Sequence, residues 1–379
     1  MTKSATSESD KQIVLEPGER PTLKTIARLS GLAVPTVSRA LSDAPDIGKD
    51  TKRRIRDIAK RIGYRPNRAG VRLRTGRTNV ISVVLSTEYD AMNNTGQLIA
   101  AITSALRGTP YHVIMTPYFA DEDPMVPIRY IVETGSADGL ILNQTEPDDP
   151  RVRYLMEHKF PFVAHGRTEL AQPHAYFDYD NTAFGSLAVD ALVARGRSRI
   201  AILAPPQTQM YAIHMVAGAR AAAKAHGVTL SVLEGATSHS SVADVEAAMR
   251  AVHARPDRPD GLIAPSIGGC VTMVSAFEQL GLVLERDFDM AAKEALSFLR
   301  RFRPGILVLE ENADEAGDYL ARAVMDRISY PDRAPMQKLV HPDVTAWKVA
   351  PEFAPPSDDP QDTAATDAQS ASSKADKTA

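Results

Sequence analysis

Residues 22–78 read TLKTIARLSGLAVPTVSRALSDAPDIGKDTKRRIRDIAKRIGYRPNRAGVRLRTGRT, and this stretch decides the fold of the N-terminal part of the chain. Thr22 has a side-chain oxygen that can cap a helix running through Leu29, because it can accept a hydrogen bond from a free backbone N–H of the first turn. The tripeptide Ser30-Gly31-Leu32 is typical of a tight turn. The pattern therefore predicts a first short helix that ends at a glycine-containing turn.

Two further helices are predicted after the turn. The second begins near Val34 and Pro35, because proline is tolerated in a first helical turn, and the third begins near Lys49 and ends at Gly63. Their apolar residues recur at spacings of three and four on one face of each helix: Val37, Ala40 and Leu41, then Ile55, Ile58, Ala59 and Ile62. Two short helices joined by such a turn form a helix-turn-helix, whose second helix enters the major groove of DNA by its N-terminal end.

The residues near that N-terminal end are candidates for contact with DNA. Arg39 is the candidate for reading a base, because its planar guanidinium group can donate to both O6 and N7 of guanine. Thr22, Thr36 and Ser38 are suited to phosphate contacts, which position a protein without specifying sequence.

The charge of the chain is distributed unevenly. Residues 20–77 hold 16 lysines and arginines against four acidic residues, a net charge of +12, so the remainder carries −15 within a total of −3. A basic head on an acidic body indicates a nucleic-acid-binding protein and argues against a soluble binding protein with no DNA role. An architectural DNA-binding protein without sequence preference would share this charge, and a specificity ratio would distinguish the two.

After Arg77, short apolar runs alternate with longer amphipathic stretches. The candidate strands are Val80–Leu85, His112–Met115, Gly139–Leu142, Phe162–Ala164, Ile200–Leu203, Gly261–Ala264 and Ile306–Leu309. Alternating strands and helices predict an α/β architecture with doubly wound parallel sheets. About 270 residues are more than one such sheet needs, so we expect two lobes with a cleft between them.

Several function classes have no support in the sequence. The segment 1–20 has no apolar core of a signal peptide, and no apolar run approaches the ~20 residues of a membrane helix, so we expect a cytoplasmic protein. Cys270 is the single cysteine, which excludes an intrachain disulfide and a cysteine-based zinc site. We find no catalytic, phosphate-binding or metal-ligand motif, so the sequence predicts neither an enzyme nor a cofactor nor a metal site.

The stretch 22–78 resembles the DNA-binding head of the lactose-repressor (LacI/GalR) family. The tetrapeptides Thr36-Val37-Ser38-Arg39 and Tyr64-Arg65-Pro66-Asn67 stand at the family's spacing, and the body matches more loosely to about residue 345. The resemblance implies a homodimeric transcription regulator, a repressor that binds pseudopalindromic operator DNA under the control of a small, sugar-like effector. The body would be built like the periplasmic binding proteins.

The resemblance also implies a hinge that becomes helical only on DNA. It corresponds to Asn67–Arg74, in which Leu73 would wedge into the minor groove and kink the duplex. The DNA contacts that it adds are Asn67, Arg68, Leu73 and Arg74. Gly70 lowers the local helix propensity, in agreement with a segment that folds only when bound.

These observations predict five segments along the chain. They are a disordered arm (1–20), the helix-turn-helix (21–65), the hinge or linker (66–78), a two-lobed effector-binding and dimerisation domain (79–349) and a disordered tail (350–379). The tail is rich in Pro, Asp, Ala, Ser and Thr, so it cannot bury enough apolar surface to fold.

The resemblance places the effector in the cleft, against loops that follow the C-terminal ends of strands. The candidate contacts are Arg167, Tyr179, Asp180, Tyr211, Ser266 and Glu294. Glu294 occupies the place of the family's Gly-Tyr-Asp motif, where a carboxylate is suited to bidentate bonding with ligand hydroxyl groups.

The chain departs from the family pattern at both sites. Ala33 stands at the cap of the second helix, where serine or threonine is common, and Val34 and Pro35 can offer a base only apolar contacts. In the body, Ile213 replaces a common arginine, and Ser266-Ile267 replaces an acidic or amide pair. Two alternatives remain open here, an effector more apolar than a sugar and a reduced control by effector.

Overall fold

The computed structural model describes residues 19–65, 72, 76–87, 94–119, 121–295 and 297–343. These residues form two compact units, one that ends at Thr78 and one that begins at Asn79. Most of the predicted arm, the predicted tail, and the hinge residues Asn67, Arg68, Leu73 and Arg74 lie outside the described residues.

The first unit contains three helices: α1 (Leu23–Ser30), α2 (Val34–Leu41) and α3 (Lys49–Arg61). A capping box begins α1, because the Thr22 hydroxyl accepts from the Thr25 N–H while the Thr25 hydroxyl accepts from the Thr22 N–H, each at 3.2 Å. Gly31 ends α1 with a φ angle of +69°, the left-handed conformation that the predicted turn requires.

The core of this unit is formed by one face of each helix. Its buried members are Ile26, Val37, Ala40, Ile55, Ile58, Ala59 and Ile62. Each buried isoleucine or valine contributes about 1.5–3 kcal/mol through the apolar surface that it removes from water. The core thus fixes α2 against α1 and α3, which leaves the opposite face of α2 open to solvent.

The first sheet of the second unit has six parallel strands in the order β11-β5-β4-β3-β1-β2. The strands are β1 (Val80–Ser86), β2 (His112–Tyr118), β3 (Gly139–Asn143), β4 (Phe162–His165), β5 (Tyr176–Tyr179) and β11 (Gln337–Val340). The helices of this lobe are α4 (Asn94–Ala105), α5 (Met125–Thr134), α6 (Pro150–Glu157) and α12 (Ala313–Ser329).

The second sheet has five parallel strands in the order β10-β9-β8-β6-β7. The strands are β6 (Arg199–Ile202), β7 (Thr229–Val232), β8 (Gly261–Ala264), β9 (Asp289–Glu294) and β10 (Leu307–Glu310). The helices of this lobe are α7 (Asn181–Ala194), α8 (Met210–His226), α9 (Val242–His253), α10 (Ile267–Gln279) and α11 (Leu299–Phe302). The predicted fold class, a helical head and two parallel-sheet lobes, is confirmed.

Four strands, β5, β7, β9 and β11, were not predicted from the sequence. The strand β9 reads DMAAKE and is buried throughout, although half of its residues are charged. Asp289 is accommodated because Arg195 and Arg197 donate to its two carboxylate oxygens, at 2.6 Å and 2.5 Å. A buried charge is tolerated when it is paired in this way, and apolar periodicity in the sequence gives no sign of such pairing.

The helices α7 and α8 pack with their backbones in contact. A methyl group on Gly185 would lie 2.1 Å from the carbonyl oxygen of Met215, and one on Gly218 would lie 2.0 Å from that of Thr182. The two glycines therefore permit an approach that no other residue allows. The approach fixes the N-terminal ends of both helices, which carry residues of the cleft.

Candidate functional site

The outer face of α2 carries the predicted DNA contacts. Pro35 and Arg39 are exposed, whereas Val34, Thr36 and Ser38 are half-buried. Pro35 and Arg39 are four residues apart, so they share the face of α2 opposite the buried Val37. Thr36 and Ser38 border this face, whereas Val34 precedes Val37 by three residues and lies at the edge of the core.

Two local features affect this helix. Ala33 stands at the N-cap and makes no side-chain bond, so no side chain there satisfies the first free N–H groups of α2. The guanidinium group of Arg39 forms an exposed ion pair with Asp46. Arg39 must exchange this partner for one on DNA in order to read a base.

A cavity of about 780 Å³, part of it open to solvent, lies between the two lobes of the second unit. It is lined by Thr95, Leu98, Asn143, Gln144, Thr145, His165, Gly166, Asp178, Tyr179, Asn181, Tyr211, Pro265, Ser266, Lys293 and Glu311. Many of these residues stand at or just beyond the C-terminal ends of parallel strands, the usual place of a ligand in α/β sheets. Most of them carry a polar group. Ile213, which replaces an arginine common in the family, does not line the cavity.

Three of the six predicted effector contacts line this cavity. The hydroxyl group of Tyr211 lies 2.9 Å from Nε2 of His239, and the Ser266 hydroxyl caps α10 by accepting from the Gly269 N–H at 3.2 Å. Tyr179 is only 3% exposed, and its hydroxyl group has no hydrogen-bond partner among the described residues. Such a buried polar atom is costly unless a ligand or water satisfies it.

The other three predicted contacts, Arg167, Asp180 and Glu294, do not line the cavity. Asp180 caps α7 by accepting from the Ala183 N–H at 3.0 Å and pairs with His341. Glu294 lies behind the cavity, because successive residues of a strand point to opposite faces and its neighbour Lys293 takes the cavity side.

Lys293 is the centre of a buried polar cluster that the sequence did not predict. Its ammonium group lies 2.8 Å from Oε2 of Glu311, donates to Oδ1 of Asn181 at 3.1 Å, and lies 4.9 Å from the ring centre of Tyr179. Nε2 of His165 lies 3.6 Å from the other oxygen of Glu311. The cluster joins strands of both sheets at the segments where the chain crosses between the lobes.

The two carboxyl groups of the cavity differ in their pKa values. Burial raises the pKa of Asp178 to about 6, although the guanidinium of Arg167, 2.9 Å away, acts in the opposite direction. For Glu311, burial is outweighed by Lys293 and His165, and the pKa falls to about 2. Glu311 is thus ionised throughout the physiological range, whereas Asp178 titrates near its lower end.

A buried ion pair shapes the loop that carries Asn143 and Gln144. Arg151 pairs with Asp149 at 2.7 Å and donates to the backbone carbonyl groups of Asn143 at 3.2 Å and Gln144 at 2.8 Å. Gln144 has a φ angle of +53°, which is uncommon for a residue with a side chain. The rule that ligands bind beyond strand ends, applied to β3, would have identified this loop from the sequence.

The described residues contain neither a membrane-spanning helix nor a metal-binding group of side chains. No helix there is both long enough and apolar enough to cross a membrane. In the same part of the chain, no three or more His, Cys, Asp or Glu side chains are grouped so that they could hold a metal ion.

Comparison with family models gives two matches. Residues 22–67 match the model described as bacterial regulatory proteins of the lacI family, and residues 80–272 match periplasmic binding proteins and sugar binding domain of LacI family. The chain belongs to the LacI family. It is a DNA-binding transcriptional regulator of that family, and the resemblance seen in the sequence is confirmed.

Individual LacI-family proteins are similar over most of the chain. The HTH-type transcriptional regulator AglR of Rhizobium meliloti (strain 1021) is 28% identical over 84% of this chain and 90% of its own length. The structure of the transcriptional regulator CelR-cellobiose complex has a TM-score of 0.61 at 24% identity, and the match covers 86% of this chain and 98% of that chain. The lac repressor dimer bound to operator and an anti-inducer has a TM-score of 0.73 at 18% identity. The match covers 86% of this chain and 97% of that chain.

Proposed function

We propose that this regulator binds operator DNA as a homodimer and that a sugar in the cleft between its lobes controls the binding. The observation that carries the proposal is the polar cavity between the two sheets. Its lining residues include two whose buried polar atoms have no hydrogen-bond partner among the described residues. These atoms are the Tyr179 hydroxyl and Oδ1 of Asn143. A ligand rich in hydroxyl groups can satisfy both, because a hydroxyl group donates and accepts.

The ligand contacts in this proposal differ in part from those expected from the sequence. Tyr179, Tyr211 and Ser266 are retained because they line the cavity, and Asn143, Gln144 and Asp178 are added. The name of the matching family domain, and the cellobiose in the CelR complex, support a sugar over a more apolar effector.

On the DNA side, we keep the contacts expected from the sequence. Arg39 reads a base, Thr22, Thr36 and Ser38 bind phosphates, and Val34 and Pro35 make apolar contacts in the major groove. Segment 66–78 acts as the hinge between the head and the domain that begins at residue 79. The protein acts in the cytoplasm and has no catalytic role.

An exposed apolar surface on the first lobe is suited to a second copy of the chain. Ile114 and Met115 of the edge strand β2 are 46% and 58% exposed, and Phe119 follows at the strand end. Val126 and Tyr130 extend the surface onto α5. A contiguous apolar patch along a strand edge is characteristic of an interface, so we assign dimerisation to it.

The cleft is placed to transmit ligand binding because both lobes contribute to its wall. The Met210 N–H of the second lobe donates to the Thr145 carbonyl of the first at 2.7 Å, and Nε2 of Gln144 lies 3.5 Å from Nε2 of His239. A ligand that binds one arrangement of the lobes more tightly shifts the equilibrium by that difference in affinity.

Selection of random duplex DNA by the full-length protein, at near-physiological salt, tests the proposal. We expect enrichment of a pseudopalindrome, and sedimentation of the complex should give two chains per duplex. Neutral and ionised sugars are then screened for release or tightening of the selected DNA. A selection without any enriched motif, or a single chain on each site, would contradict the proposed function.

A further inference from the structure

The charged side chains at the cleft occur in matched pairs. Lys293 lies 2.8 Å from Glu311, and Arg167 lies 2.9 Å from Asp178. Lys293 and Glu311 are each 6% exposed and Asp178 is 5% exposed, so the groups that face the cavity are almost fully buried. The charges of these two ion pairs, Lys293 with Glu311 and Arg167 with Asp178, sum to zero.

This pairing determines what charge the cavity can accept. A phosphate or carboxylate group entering the cavity would find each cation already in an ion pair with a carboxylate and would have to compete with that carboxylate. Burying an additional charge without a partner is unfavourable in a medium of low dielectric constant. A neutral ligand meets no such penalty.

The polar atoms that remain available favour a neutral ligand as well. The Tyr179 hydroxyl and Oδ1 of Asn143 are both uncharged, and neither has a partner among the described residues. Burial raises the pKa of Tyr179, so its hydroxyl remains protonated and can donate. These groups complement the hydroxyl and ring oxygens of a sugar, whereas neither carries a positive charge to balance a phosphate.

We propose that the effector is a neutral, non-phosphorylated sugar and that Glu311 sets this specificity by neutralising Lys293. The inference rests on the proposed function and narrows it to one class of sugar. Removal of the Glu311 charge would leave Lys293 as an uncompensated buried cation beside the cavity. The cleft would then gain affinity for small anions.

The first experiment uses the wild-type full-length protein and matched pairs of sugars on its selected DNA. Glucose is compared with glucose 6-phosphate, trehalose with trehalose 6-phosphate, and sucrose and cellobiose with their phosphorylated forms. We expect that every sugar that changes DNA binding is neutral. A phosphorylated member that acts at lower concentration than its neutral counterpart overturns the inference but leaves the proposed function intact. A screen in which no neutral sugar acts also counts against it.

The second experiment uses inorganic phosphate as the probe, so it does not depend on the identity of the effector. Thermal midpoints of the full-length wild type and Glu311→Gln are measured with phosphate and with sodium chloride at equal ionic strength, at about pH 8, where imidazoles are neutral. Phosphate binding to the basic head is common to both proteins and cancels. We expect phosphate to bind the variant's cleft roughly ten-fold or more tighter than the wild type's, because an unpaired ammonium group forms a charge-assisted hydrogen bond.

Two further variants make this result specific. Glu310→Gln removes the same charge from the exposed neighbouring residue and should respond as the wild type does. The double variant Lys293→Gln/Glu311→Gln restores neutrality and should lose the response to phosphate. If Glu311→Gln folds and responds no more than Glu310→Gln, charge compensation does not set the specificity. If Glu311→Gln does not fold, the matched sugars decide alone.

Discussion

The Oε2 atom of Glu294 accepts hydrogen bonds from the backbone N–H groups of Leu299, at 2.8 Å, and Phe298, at 3.1 Å. The carboxylate thereby fixes the start of the short helix α11, on the side of β9 away from the cavity. Its neighbour Lys293 faces the cavity. Adjacent residues of one strand therefore serve different purposes, one in the architecture and one at the candidate binding site.

Replacing Glu294 should affect stability rather than ligand binding. Glu294→Ala leaves two backbone N–H groups without their acceptor, which lowers the free energy of unfolding by about 1–3 kcal/mol. Glu294→Gln retains an acceptor oxygen and should recover part of this loss. Chemical denaturation measures both variants. A large fall in sugar affinity with unchanged stability would instead indicate that Glu294 contacts the effector.

Removing the hydroxyl group of Tyr179 should affect ligand binding rather than stability. No described residue bonds to this hydroxyl, so Tyr179→Phe costs no internal hydrogen bond and should leave the thermal midpoint unchanged or raised. The affinity for the sugar that acts on DNA should fall roughly ten-fold, as expected for one lost hydrogen bond. Calorimetric titration tests this, with Tyr330→Phe, at an exposed tyrosine that follows α12, as the control. An unchanged affinity would show that the Tyr179 hydroxyl group does not bind the sugar.

Effector binding should depend on pH through Asp178. A ligand hydroxyl that donates to this residue favours the ionised carboxylate, so binding lowers its pKa from about 6 and releases a proton. Affinity should therefore increase as the pH rises from about 5 to about 7 and then level off. The proton release is measured by calorimetry in buffers that differ in ionisation enthalpy. Asp178→Asn should bind with a flat pH profile, and a wild-type profile without slope would exclude a bond to the carboxylate.

Arg39 should control the preference for one base pair in each half-site. Arg39→Ala is expected to cost about 1–3 kcal/mol at that position and to relax the preference for guanine there. Arg53→Ala, at an exposed arginine of α3, removes the same charge and serves as the control. Binding to the selected DNA and to its single-base variants gives the comparison. An equal loss for every sequence would make Arg39 a phosphate contact.

A side-chain cap should stabilise the DNA-reading helix. Ala33 has an extended N-cap conformation but no side-chain oxygen, so Ala33→Ser can supply the missing acceptor. The gain should be about 0.5–2 kcal/mol, seen as slower hydrogen exchange of the α2 amides in the full-length protein. Ala33→Val offers no acceptor and should give no such protection. Equal protection in both variants would show that the effect does not arise from capping.

The two parts of the chain differed in how much their sequences revealed. In the head, local signals sufficed, because Thr22, Gly31 and the spacing of Ile55 and Ile58 determine helices and core together. In the body, strands with regular apolar runs were predicted. The strand β9 was not, because the charge of its Asp289 is neutralised by Arg195 and Arg197, partners far away in the sequence.

The candidate effector site also depends on contacts that the sequence alone did not predict. Tyr179, Tyr211 and Ser266 were predicted to contact the effector, and they line the cavity. Arg167 and Glu294 were also predicted, yet neither lines it. Glu294 stands at a strand end that borders the cavity, but the sequence did not reveal that the adjacent Lys293 is the residue that lines it.

The sequence by itself determined the family, the fold class and the three helices of the head, since these depend on residues close together along the chain. Only the tertiary structure decided the composition of the cleft. Lys293 and Glu311 come from different strand ends, and Asn181 comes from a third segment more than one hundred residues earlier. Their meeting depends on the register and alternation of parallel strands, in which a shift of one residue exchanges the buried face for the opposite one.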